Sequence, residues 1–144
     1  MEAIRQFVAL QYASALESWT WLDLAGKAPL CASPFGDVFL EDRHGVWWLD
    51  VVEGRLTRPW DSREAFSAAV RTTAGQDEYL LVGLGLAAED AGLVPGPGQV
   101  YGFRVPPRLG GLLEVDNVEV VDFVAGVNVA GQIHRQIHTL PPGR

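Results

Sequence analysis

Gly98–Leu140 reads GQVYGFRVPPRLGGLLEVDNVEVVDFVAGVNVAGQIHRQIHTL, and the change of period inside it decides the kind of fold the chain makes. From Gln99 to Val105, residues Val100, Gly102 and Arg104 alternate with Tyr101, Phe103 and Val105, the period of two that marks a half-buried strand. Pro106-Pro107 withdraws two backbone donors and stops that strand. Gly110-Gly111 lets the chain turn without a Cβ clash. Glu114–Phe123 is a second β segment, with Asp116-Asn117 as a kink or bulge. Beyond Gly126 the period becomes helical. Ala130, Ile133, Ile137 and Pro141 share a face, which predicts a helix over Val127–Thr139, packed on the sheet and ended by Pro141-Pro142.

The upstream chain supplies more strands. Asp37–Glu41 and Val46–Val52 form a hairpin across Asp42-Arg43-His44-Gly45, and Glu53-Gly54 is a two-residue hairpin signal before Arg55–Arg58. Within the second strand Trp47, Leu49 and Val51 share a wholly apolar face directed to the core. The opposite face mixes Val46, Trp48, Asp50 and Val52 and is expected to be partly solvated, with Trp48 either packed or available to a partner. Glu2–Trp21 carries an apolar stripe of Ile4, Phe7, Val8, Leu10, Tyr12, Ala15, Leu16 and Trp19, which predicts a helix with Trp19 and Trp21 as anchors. Gly26–Pro34 reads as a connection. Asp61-Ser62-Arg63-Glu64 opens a further helix, with Asp61 or Ser62 as its cap and capping-box spacing from Asp61 to Glu64, and Gly75 and Gln76 separate it from the next element.

The segment EYLLVGLGLAAEDAGL, Glu78–Leu93, imitates a dinucleotide fingerprint through Gly83-x-Gly85-x-x-Ala88. No βαβ alternation follows, and no acid stands about twenty residues on for a ribose hydroxyl.

These elements sum to an α+β fold, a single compact domain over 1–144. A mostly antiparallel sheet of about five strands (Asp37–Glu41, Val46–Val52, Arg55–Arg58, Gln99–Val105, Glu114–Phe123) packs with about four helices near Ala3–Glu17, Ser62–Thr72, Glu78–Ala91 and Val127–Thr139. No run approaches the roughly 18 apolar residues of a membrane span, and Glu2, Gln6, Gln11 and Glu17 break the N-terminal stretch as a secretory signal. Cys31 is the single cysteine, consistent with a reducing compartment, so a soluble cytoplasmic protein is expected.

Eighteen acids against eleven bases give a formal net charge of −7, and a chain of this sign is repelled by phosphate backbones. Direct nucleic-acid binding is therefore not expected. The acids cluster: Asp37, Glu41, Asp42, Asp50 and Glu53 in one stretch, and Glu114, Asp116, Glu119 and Asp122 in another. Solvated edges and turns explain such clusters simply; an acidic face for a basic partner explains them more specifically.

Catalytic signals are thin. His134 and His138, four apart, could face one metal, but Arg135 stands where the zincin pattern needs a glutamate, and surface or rim positions are the simpler assignment. No metal or cofactor is expected. Cys31 has no base near it in sequence, and no G-x-S-x-G elbow or P-loop is present. Gln132 and Gln136 are expected to bond neighbouring loop backbone.

The phrases GQVYGFRVPPRLGG, VDNVEVVDFV and GQIHRQIHTLPPG, together with FGDVFLEDRHGVWWLDVVEGRLTRPWDSREAF upstream, resemble a bacterial domain found at the C-terminal end of immunity proteins paired with type VI secretion DNase effectors. The match covers Phe35 to Gly143, leaving 1–34 as an N-terminal helix and connection and 35–143 as the immunity-protein-like region. That family often carries a GAD-like domain of about a hundred residues ahead of this one; here only about thirty residues precede the match. The resemblance implies a non-enzymatic, protein-binding role in which the chain neutralises a cognate toxin, with a nuclease as the class indicated. On that expectation Asp37, Glu41, Asp42, Trp48, Asp50 and Glu53 form the contact face. An adaptor or regulatory module is the alternative, and a small hydrolase using scattered carboxylates with His134 and His138 is a further one.

Overall fold

A computed structural model describes residues 2–140, whose elements run α1 (Ala9–Leu16), β1 (Ala28–Ala32), β2 (Val38–Asp42), β3 (Gly45–Asp50), β4 (Arg55–Trp60), α2 (Arg63–Arg71), α3 (Thr73–Leu80), α4 (Val82–Asp90), β5 (Gln99–Phe103), β6 (Val118–Asp122) and α5 (Phe123–Thr139). The α+β class holds. Its strands, however, form two antiparallel sheets, β1-β2-β3-β4 and the hairpin β5-β6. Between them Tyr101 N–H donates to the Pro34 carbonyl at 2.8 Å, and Val100 and Val121 of the hairpin share a core cluster with Val38, Leu40 and Leu49 of the larger sheet.

Each face of the larger sheet is covered, which fixes the burial of alternate residues. On one side Val38, Leu40, Leu49 and Val51 pack with Tyr12, Trp19, Phe123 and Val127 of the N- and C-terminal helical segments. On the other, Phe39, Val46 and Trp60 pack with Phe66 and Leu80 of α2 and α3. The second face is therefore not half-solvated. Val46 is fully buried, and the half-buried Trp48 lies edge-on to Tyr79, their ring centroids 5.0 Å apart. A smaller cluster of Phe35, Ala88, Tyr101 and Val118 fixes α4 to the outer face of the β5-β6 hairpin.

Several boundaries depart from the sequence reading for identifiable reasons. The first helix starts at Ala9, because Arg5 is drawn off into a bridge with Ala32 through bonds of 2.8 and 2.9 Å. Its guanidinium also donates to the Gly96 and Gln99 carbonyls. Val8 and Leu10 consequently lie exposed rather than on the buried stripe. The expected connection at Gly26–Pro34 contains β1, a strand whose only sheet neighbour is β2. An edge strand tolerates the missing donor of Pro29, and the register shifts between Pro29 and Cys31.

The Glu53-Gly54 turn is longer than a two-residue loop: Asp50 pairs with Arg55, and Val51–Gly54 make the turn between them. Ser62, not Asp61, caps α2 by accepting the Ala65 N–H. Gly75 and Gln76 fall inside α3. The single helix expected over Glu78–Ala91 is broken at Leu81, which adopts left-handed angles (φ 51°), and the Asp77 carboxylate then accepts the Gly83 N–H in the first turn of α4. Gly83 and Gly85 thus stand within a helix and not at a strand-to-helix turn, so they offer no pyrophosphate cradle. Helix α5 begins four residues before its expected start, capped by Asp122 through the Ala125 N–H. The expected Pro141-Pro142 stop lies outside the described residues.

Helix α5 is clamped to the N-terminal helical segment. Trp19 Nε1 donates to the Val127 carbonyl at 2.9 Å, Ser18 Oγ donates to the Asn128 carbonyl at 2.6 Å, and Asn128 Nδ2 donates to the Ser14 carbonyl at 3.0 Å. Gly131 permits this approach: a Cβ there would stand 2.1 Å from Ser18 Oγ and 2.8 Å from Trp19 Nε1. The buried face of α5 is accordingly Phe123, Val127, Gly131 and His134. The stripe expected from periodicity, Ala130, Ile133 and Ile137, is only half-buried.

Candidate functional site

The first acidic stretch is taken apart by the fold. Asp37 is 3% exposed and Asp50 7% exposed, so neither belongs to a surface that a partner could reach. Both carboxylates organise backbone instead. Asp37 accepts the Val51 N–H at 2.9 Å and the Trp48 indole N–H at 3.3 Å, while Asp50 accepts the amides of Val52 and Glu53 and so closes the β3-β4 turn. Burial raises the Asp37 carboxyl well above its ordinary value, and the neighbouring Asp50 carboxylate raises it further. Burial raises Asp50 as well.

The other members remain accessible but lie apart in function. Glu41 makes a two-point ion pair with Arg63, at 2.5 and 3.2 Å, and that hydrogen bonding lowers its carboxyl. Asp42 accepts the His44 N–H and shapes the β2-β3 turn. Trp48 is spoken for by Asp37 and Tyr79. Glu53 sits in the β3-β4 turn, where its carbonyl accepts from Arg108 at 3.3 Å. The expected contact face of Asp37, Glu41, Asp42, Trp48, Asp50 and Glu53 is therefore not one continuous acidic surface.

His134, expected at a surface or rim, is 4% exposed. Its Nε2 lies 2.8 Å from the Val51 carbonyl, which can only accept, so this nitrogen carries the proton. Burial lowers its pKa, the Val51 hydrogen bond opposes that shift, and the Arg108 cation lowers it further. Gly54 makes room for the imidazole: it has φ 73°, and a Cβ would stand 2.5 Å from the ring. His138 is exposed near Trp21, and among the described residues no group of histidine, cysteine and carboxylate side chains is placed to hold a metal. Cys31 lies buried in β1, not in a loop, and burial pushes its thiol up to about 12. Gln132 bonds the Asn128 side chain on its own helix rather than a loop.

A cleft that the sequence did not announce lies between α5 and the inner face of the β5-β6 hairpin. Its volume is about 350 Å³, and it is walled mainly by Val100, Val121, Val127, Ala130 and Ile133. Val51, Val52, Pro106 and Pro107 also line it. Glu119 and Asp122 are its acids, and His134 is its only imidazole. The loop that leaves it, Arg104–Asn117, exposes Val105, Leu109, Leu112 and Leu113 at 47–61%, with Val129 of α5 at 52% on the cleft wall. Asn117 holds that loop in shape through the Val105 N–H, the Val105 carbonyl and the Leu112 carbonyl. Exposed large apolar side chains gathered on one loop beside an apolar cleft are the usual mark of an interaction surface.

No family model matches the chain, and no curated protein matches it. The fold is similar to the crystal structure of Atu4351 from Agrobacterium tumefaciens, with a TM-score of 0.54 and 19% identity across 90% of this chain. The chain spans 66% of the length of that protein. At this identity the likeness is one of fold alone. Among the described residues no helix is long and apolar enough to cross a membrane.

The cleft escaped sequence reading because its walls come from segments far apart in the chain. The one available signal was Val105-x₃-Leu109-x₂-Leu112-Leu113, apolar residues in a proline- and glycine-marked loop where solvent-facing polar residues are ordinary.

Proposed function

We propose that this protein is a non-enzymatic, protein-binding molecule of the immunity class, which neutralises a cognate secreted toxin, a nuclease being the class that the sequence resemblance indicates. The observation that carries the reading is the exposed apolar loop of Val105, Leu109, Leu112 and Leu113 beside an apolar cleft whose lining includes Glu119 and Asp122. Large apolar groups supply binding energy at such surfaces, and acids around them favour a basic partner while speeding its approach. A net charge of −7 acts in the same direction and suits a partner whose own substrate is a polyanion. Of the first acidic stretch, Glu53 belongs to this reading as a peripheral contact, because it shares the β3-β4 turn with the cleft-lining Val51 and Val52, whereas Glu41 and Asp42 lie at the opposite end of the β2-β3 hairpin.

The test is calorimetric titration of the purified protein with the product of the adjacent gene, at low and high salt. One-to-one association that weakens with salt, with loss of the partner's nuclease activity in the same mixture, is the expected result. Absence of binding at low salt removes the immunity reading and leaves the adaptor alternative.

A further inference from the structure

The cleft is a preformed cavity rather than a gap that opens on demand. Val51 is fixed by Asp37 and by His134, Val127 by Trp19, and the start of α5 by Phe123 N–H to the Gly98 carbonyl at 2.8 Å. Its volume of about 350 Å³ stands at the small end of ligand cavities, which run from about 300 to 1,000 Å³, so one large side chain is the natural occupant. Its lining is mostly valine, alanine and isoleucine, and its carboxylates are Glu119 and Asp122, the latter capping α5 through the Ala125 N–H. The Glu119 side chain has no hydrogen bond or ion pair among the described residues, and the exposed Glu114 and Asp116 lie in the segment leading into β6. The Arg108 cation acts on the lining His134, and it donates to the Glu53 carbonyl.

We propose that the cleft between α5 and the β5-β6 hairpin is an anchor pocket, which takes one leucine- to phenylalanine-sized side chain from a partner segment flanked by arginine or lysine. Apolar walls desolvate the side chain, and Glu119 and Asp122 of the lining meet the flanking cations. The inference rests on the protein-binding reading above and deepens it by naming the chemistry of the segment that docks.

The probes are capped tripeptides: Arg-Phe-Arg, Arg-Ala-Arg and Glu-Phe-Glu, each acetylated and amidated, titrated into the full chain with methyl-resolved NMR. Arg-Phe-Arg is expected to shift the methyl signals of Val121, Ala125, Val129 and Ala130 saturably, with the other two peptides weaker by about tenfold or more. Val129→Trp, at a half-exposed position on the cleft wall, fills the mouth without entering the core and should abolish those shifts. Glu119→Lys should weaken them, whereas Asp23→Lys, the same charge change at an exposed site remote in sequence, should not. Shifts of equal size from Glu-Phe-Glu, or shifts that survive Val129→Trp, overturn the pocket. Titration with the adjacent gene's product separates the two claims. Binding that is indifferent to Val129→Trp overturns the anchor and leaves the immunity reading standing. A peptide response without binding of that product supports the pocket while the immunity reading falls.

Discussion

Two stretches of this chain look alike on paper and do opposite work in the fold. Asp37–Glu53 and Glu114–Asp122 are both acidic, both interleaved with valine, and both strand-forming. In the first, the two carboxylates nearest the core turn inward and hold backbone amides of the β3-β4 turn. In the second no carboxylate is buried: Asp122 caps α5 through the Ala125 N–H, and the half-buried Glu119 side chain lines the cleft with no hydrogen bond or ion pair among the described residues. The difference comes from what covers each strand. Helices pack on both faces of the larger sheet, so an acid in or beside it must find donors, whereas α5 leaves part of the hairpin's inner face uncovered. Charge clustering therefore identifies neither stretch as a binding face; coverage decides.

The largest effect should come from breaking the inward stretch. Asp37→Ala strands the Val51 amide and the Trp48 indole, and should cost about 3 kcal/mol in urea unfolding. Glu119→Ala in the outward stretch should leave the midpoint unchanged. Equal losses in the two variants would erase the contrast.

The next effect is a slope against pH. The folded-state pKa of Asp37 lies well above its ordinary 3.8, so the native state binds more protons than the unfolded state between those values. Its contribution therefore makes stability fall as pH rises through that window. Asp37→Asn keeps an acceptor for the Val51 amide and removes the titration, so the curve of stability against pH should flatten towards neutrality. An unchanged slope would mean that Asp37 is not the group that titrates. A smaller effect of opposite sign belongs to His134, whose lowered folded pKa means that the native state binds fewer protons below its ordinary 6.5. That stability is present above 6.5 and is lost as pH falls through the folded value. His134→Gln should remove this loss in unfolding experiments between neutral and mildly acidic pH.

The smallest effect belongs to the exposed pair of Glu41 and Arg63. Glu41→Gln should give no measurable change in Tm, because solvent screens this pair despite its two-point geometry.

Much of the architecture was readable from local pattern. The α+β class, the β2-β3 turn at Arg43-His44 and the strand around Tyr101 follow from alternation and turn chemistry that neighbouring residues enforce. What failed depended on distant partners. Arg5 shortens the first helix because it bonds to Ala32, and His134 is buried because Gly131 lets α5 close on Trp19 while Val51 offers a carbonyl. Ala130 and Ile133 were legible as an apolar stripe, yet their face borders the cleft rather than the centre of the core. Of the candidate site, the acids were visible as a cluster, but Asp37 points inward because Trp48 and Val51, more than ten residues on, supply its donors.

The most direct test of the central claim compares two double variants of the whole protein in titration with the product of the adjacent gene. Leu112→Ser with Leu113→Ser alters the exposed loop beside the cleft, and Glu41→Lys with Asp42→Lys alters the accessible remnant of the first acidic stretch. Our account predicts that the leucine pair weakens association by about a hundredfold or more, equivalent to about 2.7 kcal/mol, and that the charge pair changes it by less than about tenfold. The reverse order would return the contact face to the β2-β3 hairpin and contradict the account.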